Sequence, residues 1–117
     1  MLTSISAKNG SGAQVAFSVA MAAIAGMTLP LARSLGRQGI RCIGIEPGLF
    51  SIPQAQAYED TVNILSKLTP FPQRLGKPEE FAHLVAVLVI IRTYEQEVID
   101  NPMLNGCNIR LDGGIRA

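Results

Sequence analysis

Between Lys8 and Arg33 the chain carries no charged residue, and Gly12 to Gly36, GAQVAFSVAMAAIAGMTLPLARSLG, reads as one long helix that is apolar on every side. An ordinary surface helix keeps one wet face, so this pattern predicts a helix covered all round by its own protein and a partner, or one placed in lipid. Pro30 removes a backbone donor and predicts a kink. Arg33 and Arg37 fall in the last turn, where cations suit the helix dipole, and Gly36 and Gly39 are the candidate C-caps. Ile40–Glu46, IRCIGIE, alternates as a strand does until Pro47-Gly48 ends it, and Leu49–Ala57 reads as a loop. Glu59–Leu68 has the spacing of a short helix, and Thr69–Pro78, with its prolines and glycine, must be irregular. Pro78, Glu79 and Glu80 open a second long helix running towards Glu97, the proline and the two acids suiting a helix start. Cys107–Leu111, CNIRL, reads as a last strand closed by Asp112-Gly113-Gly114. At the front, Leu2–Ser6 reads as the end of a further strand and Ala7–Gly12 as a loop. Helices alternating with strands predict an α/β fold with a parallel sheet and right-handed crossovers.

Composition sharpens this picture. The 117 residues suffice for one small domain. Charged residues make up 16%, apolar residues 48%, and the net charge is +1, which argues against a nucleic-acid surface and against disorder. So little charge beside so much apolar sequence predicts surface that something else covers, hence association or poor solubility. Cys42 and Cys107 fit no metal spacing and no disulfide framework, and are expected as buried, reduced thiols. MLTSISAKNGSGAQ lacks a basic segment leading into an apolar core, so the expected location is the cytosol or the mitochondrial matrix. Ala13–Ala32 is long enough to span a bilayer, but Gln14, Ser18, Thr28, Pro30 and many alanines make it only marginally apolar, and a protein interface is favoured over lipid.

Three segments carry a resemblance. RQGIRCIGIEPGLF, RLGKPEEFAHLVAVLV and LNGCNIRLDGGIR, in this order and spacing, resemble the sixth strand with its Pro-Gly turn, the entry to the last long helix, and the final Asp-Gly-Gly strand of the short-chain dehydrogenase/reductase family. The resemblance covers essentially the whole chain. It is strongest towards the branch that oxidises 3-hydroxyacyl-CoA esters and hydroxysteroids with NAD, against which Arg92–Glu97 looks like an insertion. It implies the C-terminal portion of a Rossmann-like doubly wound parallel sheet, with about three strands and two long helices. Residues 1–117 would then be a single partial domain without the Gly-rich dinucleotide-binding half. NAD is the cofactor implied by the family, and homo-oligomers or association with a full-length paralogue are the implied partners, since the family packs the long helix in a dimer interface.

The resemblance also assigns positions. A serine, a tyrosine thirteen residues later and a lysine four beyond that would orient the substrate oxygen, exchange its proton, and lower the tyrosine pKa while holding the ribose. Ser4 matches the serine, but Phe17 and Met21 stand at the tyrosine and lysine positions. Phe17 keeps the ring without the titratable atom, and Met21 keeps the length without the charge. The expectation is a catalytically impaired or dead chain, with Ser4 an inherited position that caps a turn and Phe17 and Met21 an ordinary helix contact pair. Pro47, Gly48, Leu49 and Phe50 match the loop that walls the nicotinamide, whereas Ile52 stands where the family places a threonine. Nothing in the spacing makes Lys8, Tyr58 or Tyr94 a replacement base. His83 is expected at the surface or in a subunit contact, Arg74 in a local pair with Glu79 or Glu80, and Asp112 in a turn. No metal site is expected.

Overall fold

The computed structural model describes residues 1–10, 12–52, 59–89, 101 and 103–115. Its elements are α1 (Ser6–Asn9), α2 (Val15–Leu35) with a 3-10 turn at Gly36–Gln38, β1 (Gly44–Pro47), α3 (Glu59–Ser66), α4 (Pro78–Val89) and β2 (Asn108–Leu111). The α/β reading therefore holds, with differences in detail. The segment read as a loop contains α1, closed by its own backbone where Lys8 and Asn9 N–H groups donate to Ile5 O. Tyr58, Tyr94 and the Arg92–Glu97 insertion lie outside the described residues, as does the expected extension of α4 to Glu97.

α2 runs unbroken through Pro30. Ser18, Met21, Ile24, Ala25, Thr28, Leu31, Ala32 and Leu35 are buried or half-buried, a three-and-four spacing that defines one inward stripe. Only Thr28 and Ala32 on that stripe are fully buried. The stripe is fastened to the sheet by polar side chains. Thr28 Oγ1 donates to Asn108 Oδ1 at 2.8 Å, and Asn108 Nδ2 donates to Ala25 O at 3.1 Å. Gly44 makes this possible, because a Cβ there would stand 1.8 Å from Asn108 Oδ1. The outward stripe, including Val15, Val19, Met27 and Leu29, is exposed. Among the described residues the chain thus covers one side of the helix and leaves the other to the partner or lipid expected from sequence. The helix ends with Gly39 in the left-handed conformation (φ 72°), whereas Gly36 stays right-handed, so Gly39 is the glycine that stops it.

β1 pairs with β2 in parallel, Gly44 opposite Asn108 through Pro47 opposite Leu111. The strand read as Ile40–Glu46 starts only at Gly44, because Cys42 N–H is taken by the Asn105 side chain at 2.8 Å. Both cysteines flank the strands and are free thiols, Cys42 buried and Cys107 half-buried. On the other side of β1, Ile45 N–H donates to Met1 O, Thr3 N–H to Ile45 O and Ile5 N–H to Pro47 O. This third segment meets β1 in a single parallel bridge, Leu2 to Ile45. It forms no longer ladder because Pro47 has no N–H to give back to Thr3.

α4 opens on a local clamp. Arg74 donates to both oxygens of Glu80 at 2.6 and 2.9 Å, and Glu80 also accepts the Lys77 N–H at 2.7 Å. Of the two acids offered by the sequence, Glu80 is the partner. The bonds from Arg74, then the Lys77 amide, pull the Glu80 pKa down to about 2 and push that of Arg74 up. A depressed carboxylate pKa adds stability above the unfolded value near ~4.3. That contribution fades as pH falls from there through about 2. We expect the Glu80 carboxyl carbon to titrate near 2 by NMR. In Arg74→Met its midpoint should rise by about one unit or more; an unmoved midpoint would remove Arg74 as the cause.

Candidate functional site

The strand ends Pro47-Gly48 and Asp112-Gly113-Gly114 lie side by side. A Cβ on Gly48 would stand 2.8 Å from Asp112 Cα, and one on Gly113 would stand 2.4 Å from Thr69 Cγ2, so these close approaches require glycine. Asp112 holds its turn as expected. Its Oδ1 accepts the Gly114 N–H at 3.1 Å, while Oδ2 takes the Arg110 guanidinium. The loop after Pro-Gly is pinned to the segment before α4, with Gly76 N–H donating to Leu49 O and Ser51 N–H to Gly76 O. Phe50 then meets Phe81 of α4 edge to face, centroids 6.0 Å apart.

This arrangement leaves an open, apolar hollow of about 360 Å³ walled by Leu2, Pro47, Gly48, Phe50, Ile52 and Phe81. Pro47, Gly48 and Phe50, three of the four residues assigned to a nicotinamide wall, are brought together there. Leu49 is not; it lines a neighbouring hollow of about 220 Å³ with Phe50, Thr69, Arg74 and Asp112. The larger hollow suits one flat ring. It does not suit a whole dinucleotide, since no cation among the described residues lines it and Glu79 and Glu80 occupy the first turn of the adjoining helix, where a pyrophosphate would otherwise be welcome.

The three positions assigned to catalysis do not line that hollow. Ser4 Oγ accepts the Ser6 N–H at 3.2 Å, the turn-capping role. Phe17 is exposed, and Met21 is half-buried with its carbonyl accepting the Thr3 hydroxyl at 2.7 Å. Ser4, Phe17 and Met21 supply no ionisable group.

Sequence reasoning missed a buried polar cluster beneath α1. Glu46 is 0% exposed. The Lys8 ammonium stands 3.2 Å from its Oε1, yet neither carboxylate oxygen receives a well-directed hydrogen bond among the described residues. Arg110 is opposite Glu46 in register. Its guanidinium is committed elsewhere, to Asp112, to Asn9 Oδ1 at 3.3 Å and to Ile115 O at 2.8 Å. The available signal was an acid inside the apolar run IGIEPG. His83 is exposed, as one of the two expectations for it. Among the described residues no group of three or more His, Cys, Asp or Glu side chains could hold a metal ion.

A family model described as enoyl-(acyl carrier protein) reductase matches residues 1–116. The chain is 47% identical to the 3-hydroxyacyl-CoA dehydrogenase type-2 of Drosophila melanogaster over 114 residues, covering 97% of this chain and 41% of that protein. The crystal structure of the Mycobacterium avium 3-hydroxyacyl-CoA dehydrogenase type-2 superposes with a TM-score of 0.81 at 34% identity, covering 99% of this chain and 41% of that one. A Serratia marcescens short-chain dehydrogenase/reductase does so at 0.82 and 25%, covering 99% and 44%. The chain thus spans about two-fifths of the length of the relatives it matches. Family members generally use NAD(P). The sequence matches and the superposed parallel sheet together place this chain in the short-chain dehydrogenase/reductase family, close to its 3-hydroxyacyl-CoA dehydrogenase type-2 members.

Proposed function

We propose that this chain is a catalytically silent relative of the NAD-dependent 3-hydroxyacyl-CoA and hydroxysteroid oxidoreductases, and that it works by association, through its long helix, with a copy of itself or a full-length relative. The observation that carries the reading is α2. Its inward stripe builds the fold, while its outward stripe offers Val15, Val19, Met27 and Leu29 to a partner with no charge before Arg33. The same helix bears Phe17 and Met21, which neither exchange a proton nor hold a ribose. Ser4 is occupied in a turn. Pro47, Gly48 and Phe50 keep the shape of a ring-binding wall without a place for a pyrophosphate. The chain on its own is therefore not expected to retain NAD, and residues 1–117 act as a partial domain.

The test pairs the wild type with Phe17→Tyr/Met21→Lys, assayed for oxidation of NADH by a 3-oxoacyl-CoA ester. Restored proton transfer is worth roughly 10²–10⁴-fold, but only where the hydride donor is already held. Both proteins should therefore stay at background. In parallel, light scattering should give a particle heavier than the 12.5 kDa chain. Turnover by the wild type would sink the silent reading. A monomer at micromolar concentration would sink the associative one.

A further inference from the structure

The chain holds two Asn-Gly pairs, Asn9-Gly10 and Asn105-Gly106. Such a pair is able to modify itself, because a glycine nitrogen, with no side chain beside it, reaches the side-chain amide of the residue before it. The two pairs sit in different surroundings. Asn105 is exposed, but its Oδ1 accepts the Cys42 N–H at 2.8 Å and the Gly106 N–H donates to Cys42 O at 2.9 Å. Side chain and backbone are thus both fastened to one buried residue, and turning either away would leave a Cys42 group unpaired. Gly106 is also wedged against α2, where a Cβ would stand 2.9 Å from Leu29 Cδ1 and 3.3 Å from Ala32 Cβ.

Asn9 is the last residue of α1 and half-buried. Its Oδ1 accepts from Arg110 Nη1 at 3.3 Å, and that guanidinium, 18% exposed, is held from its other side by Asp112 and by Ile115 O. Asn9 Nδ2 is buried with no hydrogen-bond partner among the described residues. Gly10 is exposed, and a Cβ there would meet nothing within 4 Å among the described residues. Its amide is tied by a bond to Ser6 O at 3.1 Å, at the frayed end of a four-residue helix. The nucleophile therefore has room, the leaving nitrogen is unheld, and a fixed cation draws electrons from the amide carbonyl between them. A cation at that oxygen stabilises the oxyanion formed on attack.

We infer that Asn9 is a site of spontaneous covalent modification, promoted by Arg110. The Gly10 nitrogen bonds to Asn9 Cγ, the Cγ–Nδ2 bond breaks, and the Gly10 amide proton leaves with Nδ2 as ammonia. Water then opens the cyclic imide at either carbonyl, giving aspartate or isoaspartate. Either product exchanges an unpaired buried donor for a carboxylate beside Arg110. Isoaspartate also lengthens the main chain by a carbon, which breaks the Gly10–Ser6 bond that closes α1. Because α1 carries Lys8 over Glu46, conversion at Asn9 loosens the cover of that acid. This chemistry is independent of the association proposed above.

The test incubates the full chain in mildly alkaline buffer and follows both pairs by peptide mass spectrometry, which reads the amide-to-acid conversion at each. Exposure alone would put Asn105 first. Asn9 is expected to convert faster by roughly tenfold or more, and the two rates should converge in urea, where only the shared dipeptide remains. Arg110→Met should slow Asn9 by about tenfold, less than the loss of a donor in a closed active site because Asn9 is only half-buried. Arg110→Lys keeps the cation and should keep most of the rate. Asn105 in the same samples reports the fold. If a variant loosens it, Asn105 speeds up, and the ratio in the wild type decides. Asn105 converting as fast as Asn9 in the folded wild type would overturn the inference. So would an Asn9 rate indifferent to Arg110→Met while Asn105 holds steady.

Discussion

Val15→Asp combined with Val19→Asp should abolish the proposed association and leave a soluble monomer. The two side chains are 65% and 64% exposed within the chain and lie four apart on the outward stripe of α2. Val and Asp rank close together in helix propensity, and Val15 opens the helix, where a carboxylate suits the dipole, so the helix itself loses little. In an interface the same change forfeits roughly 1.5–3 kcal/mol of burial per valine and places an uncompensated carboxylate in an apolar contact. The association constant should fall by about two orders of magnitude or more. Sedimentation at micromolar concentration measures this, with circular dichroism confirming an unchanged helix. Val15–Gln38 is also the one stretch, among the described residues, long and apolar enough to cross a membrane. Flotation with neutral phosphatidylcholine vesicles separates the possibilities. Wild type that floats in the absence of any protein partner would mean that lipid, and not a subunit, covers the helix.

That stripe also marks how far the sequence could be read. Apolarity all round α2 was visible from the gap between Lys8 and Arg33, because charge is excluded from any covered surface. What covers it was not visible, since periodicity distinguishes a wet face from a dry one but not the chain's own core from a partner. The inward stripe emerged only in three dimensions, through Thr28 and Asn108, eighty positions apart in sequence. Neither looked structural, and both are polar residues in elements read by their apolar neighbours. The Pro-Gly loop was legible because glycine and proline restrict local geometry, and in the structure Pro47, Gly48 and Phe50 line one hollow while Leu49 lines the next. Strand boundaries were less legible. The Asn105 side chain takes the Cys42 amide and Pro47 withholds a donor, long-range facts with no local signature. α1 was missed for a related reason. A four-residue helix among glycine and asparagine has no periodicity to show, and its two long-range polar contacts come from residues far along the chain.

Those contacts give the sharpest stability prediction, an asymmetry between two partners of one ion pair. Lys8 is 55% exposed and Glu46 0%. Lys8→Met leaves a buried carboxylate with no ion-pair partner and no well-directed hydrogen bond among the described residues. Unpairing a fully buried ion costs roughly 3–5 kcal/mol, and solvent reaching the Lys8 side reduces this to about 1–3. Glu46→Met does the reverse. It removes a charge from an interior that solvates it poorly, and the freed ammonium simply enters water, so the change should be neutral or stabilising by about 1 kcal/mol or more. The double variant should match Glu46→Met alone, because without the acid there is nothing for Lys8 to neutralise. Urea unfolding of the four proteins reads these differences as midpoint shifts at constant slope. By heating, Lys8→Met should melt roughly 5–15 °C lower. The inverse ranking, with Glu46→Met the more damaging, would mean that the carboxylate makes stabilising contacts beyond Lys8. The cluster of Lys8, Asn9, Glu46 and Arg110 would then be a cohesive part of the core, and not a costly acid held in place by one half-exposed lysine.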